Sequence, residues 1–370
     1  MKKQNAGLAD IKYPRRTLYR AFLRVLARML LRLLSCIKVT GRENIPTNGP
    51  VLLSGNHSSS LEAALMMAYS PRQVEFMGAG DIPFEPEIAW ITSSYGFIPV
   101  NRGNYDREAI RKALSVLEQD GSLAIFPEGG TWEPGKMQAQ IGVALLSQRS
   151  GAPVVPVGFS GMRGAIGQAL KLKRPKIEMR IGKPIPALKV GSDVQSLKPV
   201  LQDYADEVLR QIYELVTEED KLSLTADSSY TLSLKSVLEG EEETLTLEYG
   251  QALAQMLFSE VILETYKRNL RMPVEPLYPS ESPVSLDSFE KALLSIQELL
   301  KVNPAFLTFR FGNEKSKEMV ASIAGMLKRV EEAETSGKAL KLTILNETQL
   351  RSGERKEEER VYTLTPRPVK

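Results

Sequence analysis

Between Val51 and Gly182 short apolar runs alternate with segments of helical character, and this alternation limits the folds open to the chain more than any other feature. The runs are VLLSGN (51–56), VEFMGA (74–79), GFIPVN (96–101), SLAIFPE (122–128), VVPVGF (154–159) and IEMRIG (177–182), with helices expected from about Asp106 to Gln119 and around Gln138 to Gln148. Runs this short and this apolar suit strands buried on both faces, and the helices between them supply the crossovers that parallel strands need. The expected fold is therefore α/β, a largely parallel sheet flanked by helices. On such sheets ligands gather at the carboxyl ends of the strands. The polar residues that follow the strands, His57, Arg102 and Glu128, should then share one site.

A chain of 370 residues has room for a large domain and a smaller one. After the link KVGSDVQS (189–196) a long helix is expected over roughly 195–217, and the polar stretch TEEDKLSLTADSSY (217–230) reads as a linker. Beyond it, strands near 230–235, 306–311, 341–346 and 360–365 and helices near 247–270, 285–302 and 314–335 make a small α+β domain, whose role no motif reveals. The division is thus 1–38, 39–217 and 218–370. The segment RSGERKEEER (351–360) reads as a solvated loop, and KVTGRENIPTNGP (38–50) as a turn-rich link. With Cys36 the single cysteine and His57 the single histidine, a disulfide framework is excluded and soft metal ligands are nearly absent. Neither a metal nor a bound cofactor is expected, and no nucleic-acid partner.

Residues 1–40 hold ten basic side chains against one acid, Asp10, so the remainder of the chain is acidic on balance. Arg16, Arg20, Arg24, Arg28 and Arg32 recur every four residues, a spacing that drifts only about 40° per step around a helix. Leu18, Phe22, Leu26, Met29, Leu30 and Leu33 occupy much of the remaining circumference. No apolar run approaches the roughly 20 residues of a membrane span, an arginine in every turn is costly in a bilayer, and the same arginines spoil a signal peptide. The expectation is an interfacial helix with its apolar side in the acyl boundary and its arginines on anionic headgroups, placing the protein peripherally or monotopically on a cytoplasmic membrane face. The competing expectation is a helix docked on the protein's own core with solvated arginines.

NHSSSLEA (56–63) contains His57 and, five residues on, Glu62. A neutral imidazole is suited to take a proton near neutral pH, and a carboxylate on its other nitrogen fixes the tautomer. Five residues on one helix are about 140° apart, so the two can pair only if His57 lies in the turn before the helix. The same spacing also fits a capping box, with Ser59 as N-cap and Glu62 reaching back to its amide. Both readings stand at this point. FPEGGTWEPGK (126–136) has the spacing of a nucleotide phosphate loop but fails at Met137, where a hydroxyl should follow Lys136, and at Pro134, which lacks an amide. The glycines and Lys136 suit either a smaller phosphate without metal or a plain tight turn. Gly158-Phe159-Ser160-Gly161-Met162 falls short of a nucleophile elbow at Met162. Arg102 is either a solvated arginine or a phosphate clamp.

Taken together, GRENIPTNGPVLLSGNHSSSLEA, YGFIPVNRG, LAIFPEGG and APVVPVGFSG resemble, in order and spacing, the four blocks of the PlsC-type glycerolipid acyltransferases, which include 1-acylglycerol-3-phosphate acyltransferases. The resemblance covers about 40–215. It implies that His57 is the general base, with Asn56 beside it and Glu62 orienting it, and that Arg102, Glu128 and Gly129 hold a phosphorylated acceptor. It also implies that Val155-Pro156-Val157 serves the acyl chain or the donor. The acyl donor would be acyl-CoA or acyl-carrier protein, and the acceptor a lysophospholipid. Glu62 stands where the family has aspartate. Gly130 precedes Thr131-Trp132 where the family continues Gly-Thr-Arg, which leaves Lys136 as the candidate replacement for the missing arginine. A catalytically inactive lipid-binding or scaffold protein on the same fold is the alternative.

Overall fold

The computed structural model describes residues 11–80, 94–101, 105–129, 139–190, 196–236, 244–247, 284–302 and 313–366. The helix expected near 247–270 and the strand near 306–311 fall outside them. The chain divides into two compact units, the first formed by the described residues up to Leu224 apart from Asn101 and Tyr105, which group with the second from Thr225 onward.

The first unit is built on a seven-stranded sheet. Its strands are β1 (Cys36–Thr40), β2 (Val51–Gly55), β3 (Val74–Ala79), β4 (Ile98–Val100), β5 (Ser122–Ile125), β6 (Val154–Ser160) and β7 (Lys176–Ile181), in the spatial order β1-β7-β6-β2-β5-β3-β4. Every neighbouring pair is parallel except β6 with β7. The expected class, a largely parallel α/β sheet flanked by helices, is the one found.

Successive side chains of a strand point to opposite faces, and the core divides accordingly. Leu52 of β2 and Val154 of β6 join one buried cluster, with α3 (Arg107–Leu117), α4 (Gly142–Ser150) and α6 (Leu197–Leu215). Leu53 of β2 and Val155, Val157 and Phe159 of β6 join the other, with Leu23 of α1 (Thr17–Leu34) and Leu65 and Met66 of α2 (Leu61–Tyr69). Two short helices complete the unit, α5 (Ala165–Leu170) and α7 (Glu218–Leu222). Two sequence expectations are corrected here. The turn-rich link begins inside β1, a strand too short and too mixed in character to show apolar alternation. The expected linker 217–230 contains α7, with Thr217 as its N-cap, and the start of the next strand.

Helix α1 is amphipathic as expected, but it is turned the other way. Arg20 is buried and ion-paired through Nη1 to Glu75 of β3, itself wholly buried, while its Nη2 donates to Glu75 Oε2 at 3.0 Å and to Tyr95 O at 2.9 Å. Arg15 adds a second guanidinium to Glu75 at 2.8 Å. Arg24 and Arg28 reach inward to carbonyls of α2. The stripe is therefore turned toward the protein along Arg20, Arg24 and Arg28, with Glu75 and the Tyr95 carbonyl taking the first and carbonyls of α2 the other two. The side left outward is apolar. Leu18, Phe22, Val25, Met29 and Leu33 are all more than half exposed.

The second unit carries a five-stranded sheet, order β10-β12-β11-β8-β9, of β8 (Thr225–Ser236), β9 (Thr244–Leu247), β10 (Val284–Ser285), β11 (Leu340–Leu350) and β12 (Arg355–Thr365). Leu340, Leu342 and Ile344 of β11 are buried, as are Phe289 and Leu293 of α8 (Leu286–Val302) and Met319 and Ile323 of α9 (Asn313–Ser336). The charged segment 351–360 is a tight turn followed by the first half of β12, paired antiparallel with β11 from Gln349↔Arg355 onward. Backbone pairing holds an exposed strand there despite its charge density, where a loop was expected.

Candidate active site

Strand β2 ends at Gly55, and the chain turns through Asn56, His57 and Ser58 before α2 begins at Leu61. The Asn56 side chain is committed to the backbone of Phe159 in the adjacent β6, donating to its O at 3.1 Å and accepting from its N at 2.8 Å. Asn56 thus fixes where the strand ends part; its amide is engaged by protein rather than offered to a ligand. The next residue, His57, is stacked on Phe126, ring centroids 4.1 Å apart and 16° from parallel. Phe126 follows β5, so two strand ends hold the imidazole between them.

Glu62, fully buried in the first turn of α2, directs its carboxylate back over this turn. Oε1 accepts from the Ser58 N–H at 3.0 Å and Ser58 Oγ at 2.9 Å, and Oε2 accepts from the Ser59 N–H at 2.9 Å. Oε2 also lies 3.5 Å from His57 Nδ1, an electrostatic contact longer than a formed hydrogen bond. Nδ1 makes no hydrogen bond among the described residues. The two sequence readings of Glu62 therefore coexist: one carboxylate caps the turn and faces the imidazole. The helix N-cap is Ser60 rather than Ser59, whose hydroxyl instead accepts from the Leu61 N–H at 3.3 Å.

On the other side of His57 stands Glu128, in the turn after β5. Gly129 follows in the left-handed region at φ 75°, which closes the turn through its N–H on Phe126 O at 3.2 Å. Glu128 Oε1 accepts from the His57 backbone N–H at 3.4 Å and from the Tyr213 hydroxyl at 3.0 Å. Oε2 is buried and has no hydrogen-bond partner among the described residues. Burial pushes this carboxyl up to about 7, against the Tyr213 and His57 hydrogen bonds that favour its ionised form; the charge of Glu62 adds to the rise.

Asn56, His57 and Glu128 line one cavity, whose further walls include Phe159, Met162, Tyr213 and Val216. Of the residues expected to serve substrate, Val155 and Pro156 are displaced from it: both are buried within β6, in the centre of the sheet, and do not line the cavity. Its apolar lining comes from Phe159, Met162 and Val216 instead. Arg102, Gly130 and Lys136 lie outside the described residues. Tyr213 and Phe126 were missed by sequence reasoning. Phe126 stood inside the third block, next to Glu128. Tyr213 is hidden among core positions at the end of α6, beside Leu209 and Ile212, where an aromatic signals only packing. Among the described residues no group of carboxylate, histidine and cysteine side chains is arranged to hold a metal ion.

A histidine facing a buried carboxylate thus stands at the carboxyl ends of parallel strands, within a segment that matches a family model of acyltransferases. The family model described as Acyltransferase matches residues 36–160. The chain is 24% identical to the 1-acyl-sn-glycerol-3-phosphate acyltransferase of Bacillus subtilis over 159 residues, 43% of this chain and 78% of that protein. It is 24% identical over 161 residues to the protein of the same name from Streptococcus pneumoniae, covering 42% of this chain and 56% of that one. With the protein of that name from Borreliella burgdorferi it shares 27% over 124 residues, spanning half of the latter. A crystal structure of the 1-acyl-sn-glycerophosphate acyltransferase PlsC from Thermotoga maritima aligns with TM-score 0.40 and 21% identity, over 54% of this chain and 80% of that one.

Proposed function

We propose that the domain transfers a fatty acyl group from a thioester donor, acyl-CoA or acyl-carrier protein, to the free hydroxyl of a lysophospholipid, 1-acylglycerol-3-phosphate being the acceptor that its relatives' names favour. The observation that carries the reading is the placement of His57 between Phe126 and the Glu62 carboxylate. With Oε2 of Glu62 beside Nδ1, the proton resides on Nδ1 and Nε2 is the basic nitrogen. Nε2 takes the proton of the acceptor hydroxyl as its oxygen attacks the thioester carbonyl. The tetrahedral intermediate collapses, the C–S bond breaks, and the imidazolium returns the proton to the leaving thiolate. An ester and a free thiol result. Glu128 Oε2, without a hydrogen bond among the described residues of the same cavity, is a polar group offered to the acceptor.

The acceptor and product are lipids, and the outward row Leu18, Phe22, Val25, Met29 and Leu33 of α1 supports a seat on a lipid surface. No helix among the described residues is long and apolar enough to cross a membrane. Contact is therefore assigned to the exposed face of α1, lying in the plane of the interface.

The test is thiol release from acyl-CoA by the purified protein with a panel of lysolipids in vesicles. Release that depends on the lysolipid, and is lost in His57→Ala, is expected. Vesicle binding without release from any donor and acceptor pair would favour the inactive lipid-binding alternative.

A further inference from the structure

The family-matched segment ends at Ser160, yet one wall of the His57 cavity is built from beyond it. Where β6 ends, the corner between α6 and α7 is tied down at three points. Ser160 Oγ accepts from the Thr217 N–H at 2.9 Å, and Asp220 Oδ2 accepts from the Gly161 N–H and from Thr217 Oγ1, at 2.8 and 2.9 Å. The third is steric. A Cβ placed on Gly158 would lie 2.5 Å from Leu215 Cβ and 2.7 Å from its carbonyl carbon, so only a glycine in β6 lets the last turn of α6 come this close. The glycine and serine that imitate a nucleophile elbow are seats for this corner.

Tyr213 sits one helical step before that contact, buried, and its hydroxyl points to Glu128 Oε1. Oε1 thereby has two donors, the Tyr213 hydroxyl and the His57 N–H, while Oε2 has none among the described residues. With Oε1 occupied, the carboxyl cannot rotate end for end without giving up both bonds, and any proton it carries resides on Oε2. Among the described residues, the charged and titratable groups around it are His57 in the turn after β2, Glu62 on α2, Tyr213 on α6, Asp220 on α7, and Arg163 in the turn after β6.

We infer that Tyr213 is a positioning residue of the transfer reaction, holding Glu128 by Oε1 so that Oε2 is presented to the acyl acceptor beside His57. The inference rests on the acyl-transfer reading above and adds to it a residue from outside the family-matched segment. Tyr213 touches Glu128 and acts through it.

The experiment is a double-mutant cycle of Tyr213→Phe and Glu128→Ala, with Glu128→Gln as the non-titrating control, followed by thiol release against pH. Tyr213→Phe keeps the ring and removes one hydrogen bond to a carboxylate, so kcat/KM should fall about tenfold. Removing a donor that favours the ionised carboxylate raises its titration. The limb of the pH profile that Glu128→Gln abolishes should therefore move to higher pH in Tyr213→Phe. In the Glu128→Ala background, where no oxygen is left for the hydroxyl, Tyr213→Phe should cost nothing further. Additive losses, or an unmoved limb, would reduce Tyr213 to packing and overturn the inference, leaving acyl transfer intact. Absence of turnover in the unmodified protein would remove the acyl-transfer reading and this role with it. Should Tyr213→Phe fail to fold, Glu128→Asp, which shortens the reach to Tyr213 by one methylene, should move the same limb upward; an unmoved limb there overturns the inference equally.

Discussion

The two ends of α2 are finished in opposite ways. At its carboxyl end the last carbonyls are all taken: Met66 O by the Ser70 N–H at 3.0 Å, Met67 O by Arg24 at 3.2 Å, Ala68 O by Arg28, and Tyr69 O by Arg42 at 2.9 Å. Guanidiniums there also suit the negative pole of the helix dipole. At its amino end a carboxylate suits the positive pole, and Glu62 takes both the Ser58 and Ser59 amides. Yet beside that turn Glu128 Oε2 is buried without a hydrogen bond among the described residues, and His57 Nδ1 has only its 3.5 Å contact with Glu62. A buried polar atom without a partner is costly, by about 1–3 kcal/mol, and persists where something else compensates. One end of the helix is closed structure; beside the other, polar atoms are left uncommitted.

If this contrast is right, changes at the amino end should alter turnover and those at the carboxyl end only stability. His57→Ala should lower kcat/KM by about 10²- to 10⁴-fold, the usual worth of a general base, with unfolding unchanged; near-normal thiol release would remove His57 from the reaction. Glu62→Gln keeps the shape but sets an NH₂ against the Ser58 or Ser59 amide and loses the charge facing Nδ1. Turnover should fall on the order of 10²-fold, with a stability loss of about 1–2 kcal/mol seen in denaturant titration.

Glu128 makes a pH prediction. Its folded-state titration near 7 lies above the ordinary 4.5, so the folded protein binds the extra proton between those values. Stability should be fullest below about pH 4.5 as far as this group is concerned, and decline as pH rises to about 7, by on the order of 2–3 kcal/mol. Glu128→Gln should flatten that slope in thermal unfolding. An equal slope in both proteins would place the titration elsewhere.

At the other end, Arg28→Ala should cost about 1 kcal/mol of stability and leave kcat unaltered in detergent-solubilised substrate. A loss of turnover exceeding the unfolded fraction would break the contrast. The smallest effect concerns salt. Because Arg20, Arg24 and Arg28 face the protein, added salt should weaken vesicle binding only modestly, whereas Phe22→Asp with Met29→Asp should reduce it at every ionic strength. Strong salt dependence would return the arginines to the headgroups.

Much of this was legible in the residues. Strands β2, β3, β5, β6 and β7 announce themselves as apolar runs because both faces of the sheet are covered, and His57 and Glu128 follow from their ends. What was hidden depends on distant partners. Arg20 turns inward because Glu75 awaits it 55 residues away, and no periodicity tells which side of an amphipathic helix faces home. Tyr213 meets Glu128 across 85 residues. Val155 and Pro156 lie inside the sheet rather than on the His57 cavity, and an apolar block reads alike whether it lines a cavity or fills a sheet. The charged strand 355–360 was missed because pairing with β11, rather than burial, holds it.

The seat of Leu215 on Gly158 has a consequence for anyone who cuts or recombines this domain. A chimaera joined at residue 160, where the shared blocks end, would exchange α6 for a foreign segment while retaining the glycine shaped to receive it. Such a hybrid should keep His57 and Glu62 yet lose control of Glu128. The smallest portable unit therefore runs to Leu224, and transplants made to that boundary should carry their acceptor preference with them.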